Sequence, residues 1–85
     1  MEITEVNVHK INTAGSLKAY AVVTFDDCFV VHNIRVLEGA DGLRINMPSR
    51  KLKNGEFKNI VHPISSEFRD KLSRSILEAY NKQED

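Results

Sequence analysis

The sequence predicts an α+β domain, in which four to five strands form a small antiparallel sheet and one amphipathic helix follows them. Through the first 47 residues, apolar and polar side chains alternate, or β-branched and aromatic residues cluster, as they do in strands. After Pro63 the apolar side chains recur at the spacing of an α-helix. Because the strands precede the helix and do not alternate with helices, we expect an antiparallel sheet.

Length and charge restrict the domain organisation and the mode of binding. The 85 residues suffice for one domain, residues 1–85, with a polar tail at about 81–85 that we expect to fray. A chain of this length buries only about 60–65% of its unfolded surface, so association would add stability. Lysines and arginines number 12 and aspartates and glutamates 12, so the net charge is zero. Any contact with nucleic acid would therefore need a local basic patch.

Cysteine content and hydropathy indicate the cellular compartment. Cys28 is the only cysteine, so no disulfide can form within the chain, and its apolar neighbours predict that it is buried. No apolar stretch approaches the ~20 residues of a membrane span, and no signal peptide is visible. We therefore expect a cytoplasmic protein that does not act at a membrane.

The first two strands are predicted at residues 3–11 and 17–25 from their alternating pattern. Residues 12–16 form a turn cluster between them, and Asp26 and Asp27 form the next turn, since aspartate tolerates turn conformations. One face of the second strand is apolar and consists of Leu17, Ala19, Ala21, Val23 and Phe25.

A third strand is predicted at residues 28–37, which are rich in β-branched and aromatic side chains. Its first half is apolar on both faces and therefore predicts a central position in the sheet. Residues 38–41 turn the chain into a fourth strand at 42–47, which Pro48 ends by removing a backbone donor. The apolar face of the fourth strand consists of Leu43, Ile45 and Met47.

Two interpretations of residues 48–58 are open. Ser49 could cap a helical turn, or Asn54 and Gly55 could form a tight hairpin turn with positive φ at both positions. A short helical turn followed by a glycine-containing turn would combine the two. A further short strand is predicted at residues 59–62.

The C-terminal helix is predicted to begin at Ser65 or Ser66, either of which can cap it, and Glu67 suits the first turn. Its polar side carries lysines and arginines, which we expect to face solvent. Its apolar stripe consists of Phe68, Leu72, Ile76 and Tyr80, widened by Leu77 and Ala79.

A basic island, defined as residues 47–58, is the strongest functional signal. One anion, Glu56, accompanies four cations, so the local charge is four minus one, or plus three. Turns display these charges, and lysine and arginine bind phosphates, so the island predicts contact with nucleic acid. The alternative is a solvated loop that only aids solubility. The four cations are Arg50, Lys51, Lys53 and Lys58.

An arginine pair is predicted near the island. If residues 38–41 form a hairpin loop, Arg35 lies directly opposite Arg44, and Asn33 lies opposite Asn46. Like charges opposed across a ladder destabilise it unless carboxylates, solvent or an anionic ligand compensate. Such a sheet face would suit phosphate, whereas nearby carboxylates could neutralise the arginines and a one-residue slip would separate them.

The aromatic residues divide into core and surface candidates. Tyr20 and Phe57 are the plausible stacking platforms for unpaired bases, and Phe57 lies inside the basic island. Phe57 could equally anchor the island to the sheet. The core candidates are Phe25, Phe29 and Phe68.

Neither a metal site nor an active site is predicted. His9, His32 and His62 lie on three different predicted strands and lack the paired spacing of metal ligands on one helix. The sequence contains no phosphate-binding glycine loop, no Gly-x-Ser-x-Gly and no His-Glu-x-x-His. We therefore expect no enzyme activity, no cofactor and no small-molecule substrate.

Several motifs together carry a family resemblance. They are FVVHNIRV at residues 29–36, GL at 42–43, MPSR at 47–50, GEFK at 55–58 and HPI at 62–64. ITEV at residues 3–6 and the closing helix with Tyr80 fit as well. In these motifs, which span nearly the whole chain, the sequence resembles the bacterial SpoVG family, the stage V sporulation protein G or septation regulator proteins.

The resemblance implies a small α+β homodimer, joined partly through strands, that is cytoplasmic and binds preferred DNA sites as a global regulator. It implies RNA binding in some members and, in spore formers, a link to septation, the cell cycle and sporulation. The family's basic residues after its Met-Pro-Ser motif map onto Arg50 and Lys51 and, with a weaker match, onto Lys53.

Two hypotheses follow from the residues and the resemblance. The first is a dimeric nucleic-acid-binding regulator, and the second is a protein-interaction adaptor of the division machinery, in which the island only adjusts solubility. The chain departs from the family pattern at Arg44 and Asn46 and just before Asn54, so the arginine pair is a property of this sequence and is not implied by the family resemblance. The nucleic-acid contacts in the first hypothesis are Arg50, Lys51 and Lys53, supported by Arg35, Arg44 and Lys58.

Overall fold

The computed structural model describes residues 1–11 and 14–83, in which a four-stranded sheet, a two-stranded sheet and one helix form an α+β fold. The four-stranded sheet is antiparallel with the strands in chain order, and the fifth and sixth strands pair with each other alone. The predicted fold class is therefore confirmed. The elements are β1 Ile3–Lys10, β2 Leu17–Phe25, β3 Phe29–Gly39, β4 Gly42–Asn46, β5 Ser49–Lys51, β6 Phe57–Asn59 and α1 Ser66–Lys82.

The hydrophobic core lies between α1 and one face of the four-stranded sheet. Leu72 and Ile76 of the helix are fully buried against the predicted apolar face of β2, of which every residue from Ala19 to Phe25 is buried. The rings of Phe25 and Phe68 lie 5.9 Å apart and are tilted by 43°, a favourable aromatic arrangement. The opposite face of the sheet, called the open face below, does not contribute to this cluster.

A β-bulge in β3 decides which of its side chains reach the core. Val23 pairs with Val31 and Ala21 pairs with Ile34, so β3 has one more residue than β2 between these pairs. Asn33 within the bulge has a φ of 64°, a left-handed conformation that asparagine tolerates better than most residues. The extra residue brings both Val31 and Ile34 into the core.

The β2–β3 turn is formed by Asp26 and Asp27, as predicted, with φ values of 51° and 53°. The Cys28 amide donates to the Phe25 carbonyl oxygen at 3.0 Å and closes the turn. The predicted burial of Cys28 is wrong, because the thiol is exposed at the end of this turn. The predicted core position of Phe29 is also wrong: it pairs with Phe25 at the margin of the sheet and remains 59% exposed.

The β3–β4 hairpin is tighter than predicted and shifts the register by two residues. Gly39 pairs with Gly42, so only two residues connect the strands, where a four-residue loop was predicted. Arg35 therefore opposes Asn46, and Arg44 opposes Leu37, which corrects the predicted pairing of Arg35 with Arg44 and of Asn33 with Asn46. A two-residue shift preserves the faces, so the two arginines still share the open face as diagonal neighbours.

The helix begins and ends with specific contacts. Ser65 is its N-cap and accepts a hydrogen bond from the Phe68 amide at 3.1 Å. Near the C-terminus, the Lys10 ammonium lies 4.6 Å from the centre of the Tyr80 ring and donates to the Gln83 carbonyl oxygen at 2.8 Å. These contacts attach the last turn of the helix to β1.

The last helical turn also contains an exposed ion pair. The Lys82 ammonium hydrogen-bonds the Glu78 carboxylate at 2.8 Å, which lowers the pKa of Glu78 and raises the pKa of Lys82. Two residues of the tail for which fraying was predicted, Asn81 and Lys82, are thus helical. Residues 12, 13, 84 and 85, which belong to the predicted turn cluster and tail, lie outside the described residues.

The N-cap assignment predicts a difference between two adjacent serines. Ser65→Ala should lower the free energy of unfolding by about 1 kcal/mol, because the Phe68 amide loses its partner. Ser66→Ala is the matched control and should change it by less than about 0.5 kcal/mol. Urea denaturation followed by circular dichroism measures both, and an equal loss in the two variants would contradict the assignment.

Candidate nucleic-acid interface

The basic island folds as a β-hairpin, which decides between the two interpretations of its sequence. β5 and β6 pair antiparallel, the Leu52 amide donates to the Glu56 carbonyl oxygen at 2.6 Å, and the Gly55 amide donates to Leu52 at 3.0 Å. Gly55 has a φ of 90°, so the loop is a three-residue hairpin turn with glycine in the left-handed position. The helical turn capped by Ser49 is therefore wrong.

The structure also corrects two predicted details of this hairpin, one in its loop and one in its second strand. Asn54 is not among the residues with positive φ, and its side chain instead accepts a hydrogen bond from the Glu56 amide at 3.0 Å. The sixth strand covers residues 57–59, so the strand predicted at 59–62 is wrong beyond its first residue. The Ile60 amide donates to the Pro48 carbonyl oxygen at 2.8 Å and closes the base of the hairpin.

The cations of the island are distributed over both faces of the hairpin. Arg50 lies directly opposite Lys58, Lys51 lies opposite Phe57, and Lys53 lies in the loop. All four cations are exposed, and within residues 1–11 and 14–83 none of them has a carboxylate at ion-pair distance. Arg50 and Lys58 are thus like charges directly opposed across the hairpin ladder, a pairing that was not predicted and that disfavours the ladder.

The two arginines of the main sheet occupy different positions on the open face. Arg35 belongs to a row that crosses all four strands, in which His9 pairs with Tyr20, Tyr20 with Arg35 and Arg35 with Asn46. Arg44 lies beside this row, opposite Leu37, and both arginines are exposed. In the described part of the chain, neither arginine has an ion-pair partner.

A polar cleft of about 410 Å³ lies between the open face and the base of the hairpin. It brings Arg35 together with the start of the basic island, whereas Arg44 and the other cations of the island do not line it. This cleft could not be predicted from the sequence, because its walls come from β2, β3 and the base of the hairpin, which are far apart along the chain. Its lining residues are Tyr20, Asn33, Arg35, Pro48, Ser49 and Ile60.

Phe57 does not anchor the island. Its side chain is 72% exposed on the hairpin face that also carries Lys51. The anchoring role considered from the sequence is therefore wrong. An exposed aromatic ring beside cations remains available for stacking on a base.

A second cavity, of about 380 Å³, lies near the start of α1 and has a different character. Its lining is mostly apolar and includes Phe29, Val31 and Phe68. Ile64 at its margin is 96% exposed. None of the cations predicted to contact nucleic acid lines this cavity, so it is separate from the basic surface.

Over residues 1–11 and 14–83, no three side chains of histidine, cysteine, aspartate or glutamate are grouped to hold a metal ion. In the same part of the chain, no helix combines the length and the apolar character that crossing a membrane requires.

Comparisons with known proteins agree with the resemblance in the sequence. A family model described as SpoVG matches residues 1–82. A protein of Treponema denticola is 66% identical over 82 residues, which cover 96% of this chain and 88% of the relative. Proteins of Caldanaerobacter subterraneus subsp. tengcongensis and Thermoanaerobacter sp. are each 57% identical over 82 residues, covering 96% of this chain and 90% and 89% of theirs. All three relatives are named "Putative septation protein SpoVG".

The Arg50–Lys58 opposition predicts that one charge reversal stabilises the hairpin. In Lys58→Glu an attractive cross-strand pair replaces the repulsive one, a change of about 0.2–1 kcal/mol. Exchange of the Ile60 amide, which closes the hairpin, should slow by up to about fivefold in low salt, and less in high salt.

Lys53→Glu is the matched control, since it makes the same charge change in the loop, where Lys53 has no residue opposite it. It should leave Ile60 exchange nearly unchanged. Hydrogen exchange followed by NMR measures both variants. Equal slowing in the two would attribute the effect to net charge and contradict the cross-strand repulsion.

Proposed function

This chain belongs to the SpoVG family, and from that premise we propose that it is a regulatory protein that binds nucleic acid through its basic hairpin. The observation that carries the proposal is the exposed Arg50–Lys58 pair. Two cations face each other across the ladder without a carboxylate partner in the described residues. An anion seated between them would relieve the repulsion, and the phosphate backbone supplies anions at regular intervals.

The roles of the remaining cations follow from their positions. Lys51 and Lys53 extend the positive charge along the hairpin towards its loop, where they would contact neighbouring phosphates. Arg35 and Arg44 add positive charge to the open face. Lysines bind phosphate as mobile point charges, whereas Arg50 can form two parallel hydrogen bonds to one phosphate. Phosphate contacts of this kind supply affinity and register but do not themselves read sequence.

The biological setting is part of the same proposal. The relatives are named for septation, and we expect this protein to act in the cytoplasm in control of septation, cell division or sporulation. As a homodimer it would present two basic hairpins to one duplex, with RNA as a second possible target. We expect no enzyme activity and no cofactor. Sedimentation at several protein concentrations tests the dimer.

A protein-interaction adaptor is the second candidate function, and one observation favours it. Phe29 and Ile64 are large apolar side chains that remain 59% and 96% exposed beside the apolar cavity near α1. Exposed apolar surface of this kind commonly marks a protein-binding site. Pull-down from lysate after nuclease treatment distinguishes the functions: partners that persist favour the adaptor, and partners that disappear favour nucleic-acid binding.

The salt dependence of DNA binding tests the leading proposal. For Arg50→Ala/Lys51→Ala, the slope of log K against log salt concentration for a fluorescent DNA duplex should fall by about two, because each lost phosphate contact removes about one. Fluorescence anisotropy across a salt series measures it.

The matched control is Lys71→Ala/Arg74→Ala, which also removes one lysine and one arginine, here from the exposed side of α1. Its slope should stay close to that of the unmodified protein. An unchanged slope in the hairpin variant, or equal losses in the two variants, would refute binding through the hairpin.

A further inference from the structure

We propose that the polar cleft between the open face and the hairpin binds one unpaired base of a single-stranded nucleic acid, stacked on Tyr20. The inference rests on the proposed function and deepens it, because it adds a base-binding site to the phosphate contacts proposed for the hairpin. The hairpin would hold the backbone of the strand, and the cleft would receive a base that is splayed from it.

Tyr20 has the position that such a site requires. It lies on a central strand of the sheet, on the open face, between His9 and Arg35. The side chain is half-buried and lines the cleft, so part of it is packed and part is accessible. Aromatic rings on open sheet faces are suited to stacking on unpaired bases, because every base offers a π-face.

The other walls of the cleft match the mixed character of a nucleobase. Pro48 and Ile60 supply apolar surface, and the amide of Asn33 and the hydroxyl of Ser49 supply groups that donate and accept hydrogen bonds. The volume of about 410 Å³ lies within the usual range for a small-ligand site, about 300–1,000 Å³. The site therefore has room for one base together with its sugar.

Arg35 supplies a positive charge that complements the anionic backbone of a nucleic acid. It pairs with Tyr20 across the ladder and lines the cleft, and no carboxylate in the described residues lies at ion-pair distance from it. The carboxylate of Glu5 lies at the opposite end of the open face, where it accepts a hydrogen bond from Asn7. A guanidinium without a partner beside an aromatic ring can bind a base edge or a flanking phosphate.

The geometry favours a single strand over a duplex. Bases of a duplex are stacked and paired inside the helix, so a side chain in a recess beneath a hairpin cannot stack on them unless one is flipped out. Unstacking an unpaired base costs little free energy, so such a base can enter the cleft directly. Lys51 extends from the same strand as Ser49 and on the same hairpin face, where it could bind the next phosphate.

The test compares single strands with a duplex. Fluorescein-labelled DNA and RNA 12-mers without internal pairing, and the matching DNA duplex, are titrated with the protein and with Tyr20→Leu. We expect Tyr20→Leu to weaken single-strand binding by about 5- to 150-fold, with an unchanged salt slope because no charge is lost. Duplex affinity should change by less than about twofold, and Tyr20→Phe should retain single-strand affinity.

A second variant and a spectroscopic readout distinguish loss of the base site from misfolding of the Tyr20→Leu variant. Ser49→Leu adds bulk at the exposed hairpin wall of the cleft and should weaken single-strand binding without changing duplex binding. Stacking on Tyr20 should also change the fluorescence of 2-aminopurine placed in the single strand, and Tyr20→Leu should remove that change.

The outcomes separate the two proposals. If the unmodified protein binds duplex with the expected salt slope but Tyr20→Leu and Ser49→Leu leave single-strand binding intact, the base site is refuted and the proposed function stands. Equal losses for single strand and duplex would likewise refute the base site. If the unmodified protein binds neither form of nucleic acid, both proposals fail.

Discussion

The extra residue in β3 is the constraint on which the rest of the structure depends. With regular alternation, Val31 and Arg35 would lie on the same face of the strand. The bulge reverses the alternation, so Val31, Ile34 and Val36 all reach the core while Arg35 points to the open face. An arginine turned towards α1 would bury an unpaired charge among apolar side chains, at a cost of several kcal/mol. The left-handed backbone at Asn33 therefore allows one strand to present apolar side chains to the core and an arginine to solvent.

The sequence predicted elements well where alternation runs without interruption between turn signals. β2 was predicted at residues 17–25 and has those bounds. Prediction from the sequence failed where the length of a loop, or the point at which the sheet ends, had to be known. Glu38 and Gly39 were predicted to lie in the turn but both continue the ladder, which moved the register of β4 by two residues. Cys28 and Phe29 read as core by hydropathy, but they lie at a turn where the sheet ends. Hydropathy records the preference of a side chain and not the extent of the surface available to cover it.

The candidate site was predictable in composition and not in arrangement. The four cations of the island are visible in the sequence, and the argument that opposed like charges require compensation was applied to Arg35 and Arg44, which do not oppose each other. The pair to which it applies is Arg50–Lys58, because residues 48–58 form a hairpin and not a helical turn. The polar cleft was not predictable, since its walls come from β2, β3 and the hairpin base, which are distant in sequence and are brought together only by the fold.

The separation of the two sheets explains how the chain tolerates repulsion at this site. β5 and β6 pair only with each other, so repulsion between Arg50 and Lys58 acts on a local ladder, and opening that ladder would leave the core between α1 and the main sheet intact. A two-stranded hairpin is marginally stable alone, and a bound anion would remove the repulsion that weakens it further. A ligand that prefers the closed ladder must also stabilise it, by mass action. Binding to the hairpin and ordering of the hairpin are therefore linked, and the shape of the neighbouring cleft, one wall of which is the hairpin base, depends on both.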